Sequence, residues 1–201
     1  MNMKKYAIIP IVLLLSSCDV DEMEQTIFVP DASDSHLPAY TEWGYNSFGA
    51  RYERTYFLAT NDIVPCKITV QDGIMTFSLS GRISASSSSH GTYEKMTLYF
   101  SFPVGEPMRN YWDLQALHQQ TFDLTDPSCE VKMTRDSKTE TIELLSGSLF
   151  FKRVQLLRIN EIDDRAIVSG TFELAFLRHK LPEALTKGRF DLGITSLFYI
   201  P

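Results

Sequence analysis

The chain predicts an all-β domain, a two-sheet antiparallel β-sandwich, with a partly open β-barrel as the alternative and at most one short helix. Three observations predict it. Apolar and polar residues alternate with period two in four separate segments: Met75-Phe77-Leu79, Met96-Leu98-Phe100-Phe102, Phe172-Leu174-Phe176 and Phe190-Leu192-Ile194. Turn residues recur between the segments, Asp72-Gly73 being the clearest hairpin signal. No long stretch carries helical periodicity, which disfavours α/β and all-α folds. A single half-wet sheet would leave its Phe-rich face in water, so two sheet faces are expected to bury each other.

The elements follow in order. Residues 37–62 are rich in aromatics, broken by Gly44 and Gly49, and read as loop plus strand around a core. Ile63 to Val70 and Met75 to Ser80 form a hairpin about Asp72-Gly73. Residues 84–92, with four consecutive serines and Gly91, form a loop. Met96 to Phe102 is a strand ended by Pro103, Gly105 and Pro107. Trp112 to Gln119 holds the one helical turn expected mid-chain. Thr121 to Leu124 and Cys129 to Thr134 are short strands around Asp126-Pro127. Thr139 to Phe151 and Arg153 to Ile159 are β-prone, Asn160 to Arg165 reads as a polar connection, and Ile167 to Leu177 alternates most regularly. After Pro182 a last alternating strand includes Phe190, Leu192 and Ile194.

The N-terminus has another chemistry. Lys4 and Lys5 precede an apolar run from Tyr6 to Leu15, then Ser16, Ser17 and Cys18. A positive region followed by about ten apolar residues is a secretory signal, too short for the roughly 20 residues of a spanning helix. Leu15-Ser16-Ser17-Cys18 resembles the lipobox of bacterial lipoproteins. That resemblance implies cleavage after Ser17, acylation of Cys18 and anchorage by several acyl chains, which hold where one chain binds only marginally. The expected organisation is a signal peptide over 1–17, a lipidated cysteine with an acidic tether over 18–36, and a single β-sandwich domain over 37–201. Asp19, Asp21, Glu22 and Glu24 put four acids in six residues. An acidic run directly after the cysteine also resembles the surface-export signal of Bacteroides lipoproteins. It implies an outer-membrane protein facing the cell exterior, with the periplasmic face as the alternative.

Removing residues 1–17 takes away two lysines and no acid, leaving 17 basic against 25 acidic side chains, a formal charge of −8. Such a surface disfavours nucleic acid, whose phosphates need a basic patch. The membrane is therefore expected as a partner through Cys18 alone. Cys66 and Cys129 remain: an even count in an oxidising compartment leads to the expectation of a bridge, with two separate buried thiols as the alternative.

Three further stretches carry a likeness: Leu98-Tyr99-Phe100-Ser101-Phe102-Pro103, Gly170-Thr171-Phe172-Glu173-Leu174 and Gly188-Arg189-Phe190-Asp191-Leu192. Together with the lipobox they make the chain similar to uncharacterised lipoproteins of Bacteroides and related gut bacteria. The resemblance spans most of residues 70–195 and implies a β-sandwich and outer-membrane attachment, but no reaction and no catalytic residue.

Candidate sites are few. His36, His90, His118 and His179 show no metal-ligand spacing, and no cofactor motif is present. Asp123, Asp126, Asp163 and Asp164 lie near turns but match no calcium loop. No nucleophile elbow occurs. Glu173 and Asp191 occupy equivalent places in two similar pentapeptides and can share an outer face, which suits either a carboxylate pair or plain solubility. No catalytic residue is assigned. Trp43, Tyr45, Tyr111 and Trp112 stand beside chain-breaking residues and are the candidate contacts for a glycan or a protein. The expected function is thus a non-catalytic binding module. The alternatives are a structural subunit of a surface assembly and a glycan-active hydrolase.

Overall fold

The computed structural model describes residues 25–84, 93–105, 108–135, 137–159 and 162–199. Among them are twelve strands: β1 (Ser47–Tyr52), β2 (Thr55–Leu58), β3 (Cys66–Gln71), β4 (Ile74–Ser84), β5 (Tyr93–Pro103), β6 (Gln120–Asp123), β7 (Glu130–Arg135), β8 (Lys138–Thr141), β9 (Glu143–Ile159), β10 (Ile162–Arg178), β11 (Leu181–Ile194) and β12 (Phe198–Tyr199). A 3₁₀ helix, Tyr111–Leu117, stands between β5 and β6, where the helical turn is expected.

Ten strands are hydrogen-bonded neighbours in the order β6-β9-β10-β11-β1-β2-β4-β5-β7-β8, while β3 shares an edge of β4 with β2 and carries β12. Apart from the short parallel β3–β12 pair, this is one antiparallel sheet curled through about 247° into an open half-barrel. The β-sandwich expectation is therefore corrected in favour of its open-barrel alternative. Period-two alternation tells which face is apolar, not what covers it. A sheet that curls far enough covers its own inner face. The curl has a visible cause. Strands β9 and β10 run 17 residues each and slip register at three places, and such bulges bend and coil a strand. The polar stretch 160–165, expected as a connection, mostly belongs to β10.

All eight core residues expected from alternation, Phe77, Leu79, Leu98, Phe100, Phe172, Leu174, Phe190 and Leu192, are buried on the inner face. Phe77, Phe100, Phe151, Phe172 and Phe190 form a continuous ring cluster with centroids 5.1–6.3 Å apart. Burying each ring is worth roughly 1.5–3 kcal/mol, with about 0.5–1.5 more for favourable ring pairs. Leu114 and Leu117 of the 3₁₀ helix join this core against β9 and β10.

The two Gly-x-Phe motifs explain each other. In the β10–β11 ladder Gly170 faces Phe190 and Phe172 faces Gly188. A Cβ on Gly170 would lie 2.6 Å from the Phe190 ring, and one on Gly188 would lie 2.8 Å from the Phe172 ring. Each glycine leaves space that the opposite ring shares with a still nearer main-chain carbonyl, that of Phe150 at Gly170 and that of Phe172 at Gly188.

One end of the half-barrel is polar. Tyr52, Glu94, Arg135, Glu140, Arg178 and Glu183 sit in the inward phase at the ends of six strands. Arg135 binds both carboxylate oxygens of Glu94 and donates to Tyr52 at 3.0 Å, and Tyr52 donates to Glu183. Arg178 donates to Glu140 at 3.0 Å and so ties β10 to β8 across the opening of the sheet. The facing guanidinium groups hold the carboxyls of Glu94 and Glu140 below their usual range.

Two more expectations change. Cys66 and Cys129 are both free. Cys66 lies on β3 and Cys129 next to β7, with β4 and β5 between, so three strand spacings of about 4.8 Å separate them and no bridge forms. Burial pushes both thiols up. The solvated tether expected over 18–36 is also shortened. Thr26 donates through its amide to Asn61, Asp31 pairs with Arg189 at 2.6 Å, and Leu37 is buried, so an arm from Thr26 onward is docked on the sheet. Cys18 and the acidic run to Glu24 lie outside the described residues.

Candidate functional site

The loop 40–46 crosses the outer face of β9, β10 and β11. It turns at Gly44, whose φ of +75° is left-handed and favours glycine. One side chain fixes it. Asp191 is 2% exposed, lying on the outward phase of β11 beneath the loop. Its carboxylate accepts from Thr41 Oγ1 at 2.5 Å, the amides of Trp43 at 3.0 Å, Gly44 at 2.8 Å and Tyr45 at 3.4 Å, and Ser169 Oγ at 2.9 Å. A buried carboxylate without a counter-cation needs such a set of donors. Asn46 completes the clamp, accepting the Gly193 amide at 2.9 Å.

Around the pinned turn stands a closed polar set. Tyr40 donates to Glu42 at 2.9 Å, Arg153 reaches Glu42 at 3.1 Å, Gln155 donates to the Glu42 carbonyl at 3.1 Å, and Arg153 donates to Gln155 at 2.9 Å. Lys152 lies 4.3 Å from the Tyr40 ring centre. Burial and the Glu42 carboxylate push the Tyr40 phenol well up, so it remains a donor. Beside the loop runs the docked arm, whose Ile27 amide donates to Tyr45 at 2.8 Å and whose Ile27, Phe28 and Val29 are exposed.

On this base Trp43 is 72% exposed. Tyr45 is half-buried. Trp112 is 44% exposed and Tyr111 is half-buried, the two rings meeting edge to face at 5.1 Å on the 3₁₀ helix. The candidate aromatics thus fall into two pairs on different elements, and among the described residues no ring contact joins them.

The candidate carboxylate pair, Glu173 and Asp191, is not brought together. Asp191 faces Ser169, four residues along β10 from Glu173, or about 13 Å at strand rise. Glycosidase carboxyls stand roughly 5–9.5 Å apart. Among the described residues the hydrogen bonds to the Asp191 carboxylate come from the loop and from Ser169, whereas exposed Glu173 lines a shallow outer concavity with Leu145 and Thr186. Asp123 and Asp126 each accept hydrogen bonds from the second residue on, within their own turns, which holds both carboxyls low. Among the described residues no group of three or more His, Cys, Asp or Glu side chains could hold a metal ion. His118 is structural: its Nδ1 accepts the Val154 amide at 3.1 Å.

A second concavity, a groove of about 580 Å³, lies between β3 and the end of β11. Its walls include Asn46, Asp62, Val64, Cys66, Arg165 and Thr195. Neither this groove nor the anchoring role of Asp191 has a sequence signal, because both depend on residues 100 or more positions apart.

No family model matches the chain, and neither a curated protein nor a solved structure matches it.

Proposed function

We propose that the protein is a non-catalytic binding module, displayed at the outer membrane on an acylated Cys18, with the Trp43 loop as its recognition element. The observation that carries this reading is a largely exposed indole on a turn whose amides are fixed by one buried carboxylate. An exposed tryptophan gains nothing from water, and covering apolar surface returns roughly 25 cal/mol per Å². A pre-set turn also lowers the ordering cost of binding. The interior is filled by phenylalanine rings, which leaves recognition to the outer surface and its loops. The indole together with Glu42, Arg153 and Gln155 offers a flat apolar face beside planar hydrogen-bonding groups, a combination suited to a glycan.

The test is a binding screen of the mature chain against saccharide and host-protein arrays, repeated with Trp43→Ala and Trp112→Ala. Binding abolished by Trp43→Ala in a folded protein is expected. Binding lost only with Trp112→Ala would move the site to the 3₁₀ helix, and turnover of a saccharide would replace the reading with a hydrolase.

One observation favours a second reading, an assembly subunit. The last strand, β12, is two residues long and pairs in parallel with the outer edge of β3. A strand held by so short a pairing can be exchanged between copies. Ordered self-association of the mature chain in solution would favour that reading.

A further inference from the structure

The docked arm opens with an apolar ridge. Ile27, Phe28 and Val29 are consecutive, and all three are exposed. Among the described residues the other exposed large hydrophobics, Trp43 excepted, stand singly along the chain: Val64, Ile74, Tyr93, Trp112, Leu145 and Leu181. Scattered apolar side chains are ordinary on a surface, whereas a contiguous group marks a contact. The ridge is also held in place. Thr26 donates its amide to Asn61 at 3.0 Å, Ile27 donates its amide to Tyr45 at 2.8 Å, and the Val29 carbonyl accepts the Ala39 amide at 2.6 Å. Pro30 has no amide to satisfy. The arm thus turns apolar side chains to solvent while much of its main chain is already paired, which suits entry into a water-poor layer.

We infer that Ile27, Phe28 and Val29 are a membrane footing, which enters the headgroup layer of the bilayer that holds Cys18. The inference rests on the acylation of Cys18 proposed above. Position commits the ridge to this occupant. Ile27 follows Cys18 by nine residues. Even a fully extended chain, at roughly 3.3–3.6 Å per residue, keeps it within about 30–32 Å of the lipid-bearing sulfur. A tether that short holds the ridge beside the bilayer at roughly millimolar effective concentration, enough for a contact too weak to bind alone. Charge argues against a second copy, because the mature chain carries −8 and each arm follows the acids Asp19, Asp21, Glu22 and Glu24. The same acids point to zwitterionic headgroups rather than anionic ones. The membrane then meets the protein at two places, and the second fixes how the half-barrel stands on it. Trp43 is on the neighbouring loop, so the footing holds that loop at the membrane surface.

The test reads depth. The chain purified from its membrane is reconstituted in phosphatidylcholine vesicles, with and without bromine on the lipid acyl chains, and intact mass reports acylation in the same sample. A single tryptophan is placed by Phe28→Trp with Trp43→Phe and Trp112→Phe, all at exposed positions. Residue 28 should lose roughly half its emission to brominated lipid, because interfacial apolar faces reach about 5–10 Å into the boundary of headgroups and acyl chains. Adding Ile27→Glu and Val29→Glu should restore the emission at the same acylation, since the tether stays and only the footing goes. A single tryptophan from Leu181→Trp, at the other end of β11 from Asp191, should keep its emission. Unquenched residue 28 in acylated protein would overturn the footing and leave the anchor standing, and its shielding from aqueous iodide would then assign the ridge to a second copy or a partner protein. A mass without acyl chains would remove the anchor and the inference with it. Quenching that survives the two glutamates, or that is equal at residue 181, would also overturn the inference.

Discussion

Two polar clusters, one partly buried and one fully buried, stand in this half-barrel, and they are built on opposite plans. At the end of the barrel six side chains share charge: two arginines, three glutamates and Tyr52 face one another from six strands. On the outer face a single carboxylate, Asp191, has no counter-cation among the described residues and is held by three amides and two hydroxyls. The first cluster closes an opening, because Arg178 and Glu140 tie strands that no backbone ladder joins. The second holds a loop in one shape. The difference teaches where function is expected: an ion network seals, whereas a carboxylate saturated by loop amides presents what the loop carries.

The comparison can be broken most forcefully at Asp191. Asp191→Ala should strand five donors under the loop, each costing about 1–3 kcal/mol until water reaches it, for a net loss of about 3–5 kcal/mol in urea denaturation. Amide exchange at Trp43, Gly44 and Tyr45 should rise with it. Arg178→Met removes the tie across the opening. The side chains of this pair are 19% and 27% exposed, so the 3–5 kcal/mol of a buried pair shrinks to about 1–3 kcal/mol. Amide exchange should then rise at β8 and not in the Trp43 loop.

Acid sharpens the contrast. The carboxyls of Glu94 and Glu140 are held below their ordinary value of 4.5 by Arg135 and Arg178. A group depressed in the folded state contributes stability that is full above its unfolded pKa and is lost as pH falls through the folded one. Thermal stability should therefore drop as pH falls below about 4.5, and Arg178→Met should show a shallower drop. An identical pH profile for the variant would separate Glu140 from the acid response. The smallest effect concerns the thiols. With Cys66 and Cys129 free, a reductant should leave the melting temperature unchanged, whereas a bridge closing some 60 residues would have carried about 4 kcal/mol.

Much of the interior is legible in the residue pattern alone. Strict alternation identifies Phe77, Phe100, Phe172 and Phe190 as inward residues, because a strand shows its two faces in its sequence. The curl is not legible, since bulges within β9 and β10 leave no clear mark in residue type. Gly170 and Gly188 stand out as motifs and prove to be places for facing rings. At the site, Gly44 beside Trp43 gives away an exposed turn. Asp191 reads as a solubilising or catalytic acid, and its true role is hidden because Thr41 lies 150 residues away in the chain. Tyr45 and Tyr111, grouped with the tryptophans by sequence, are half-buried and less available to a ligand.

The most direct measurement is the affinity of the mature chain, Trp43→Ala and Asp191→Asn for a ligand from the array screen, each beside its melting temperature. Trp43→Ala should lose at least tenfold in affinity, about 1.4 kcal/mol, with its melting temperature unchanged, and Asp191→Asn should lose both affinity and stability. Full affinity in Trp43→Ala would contradict the role assigned to the pinned loop.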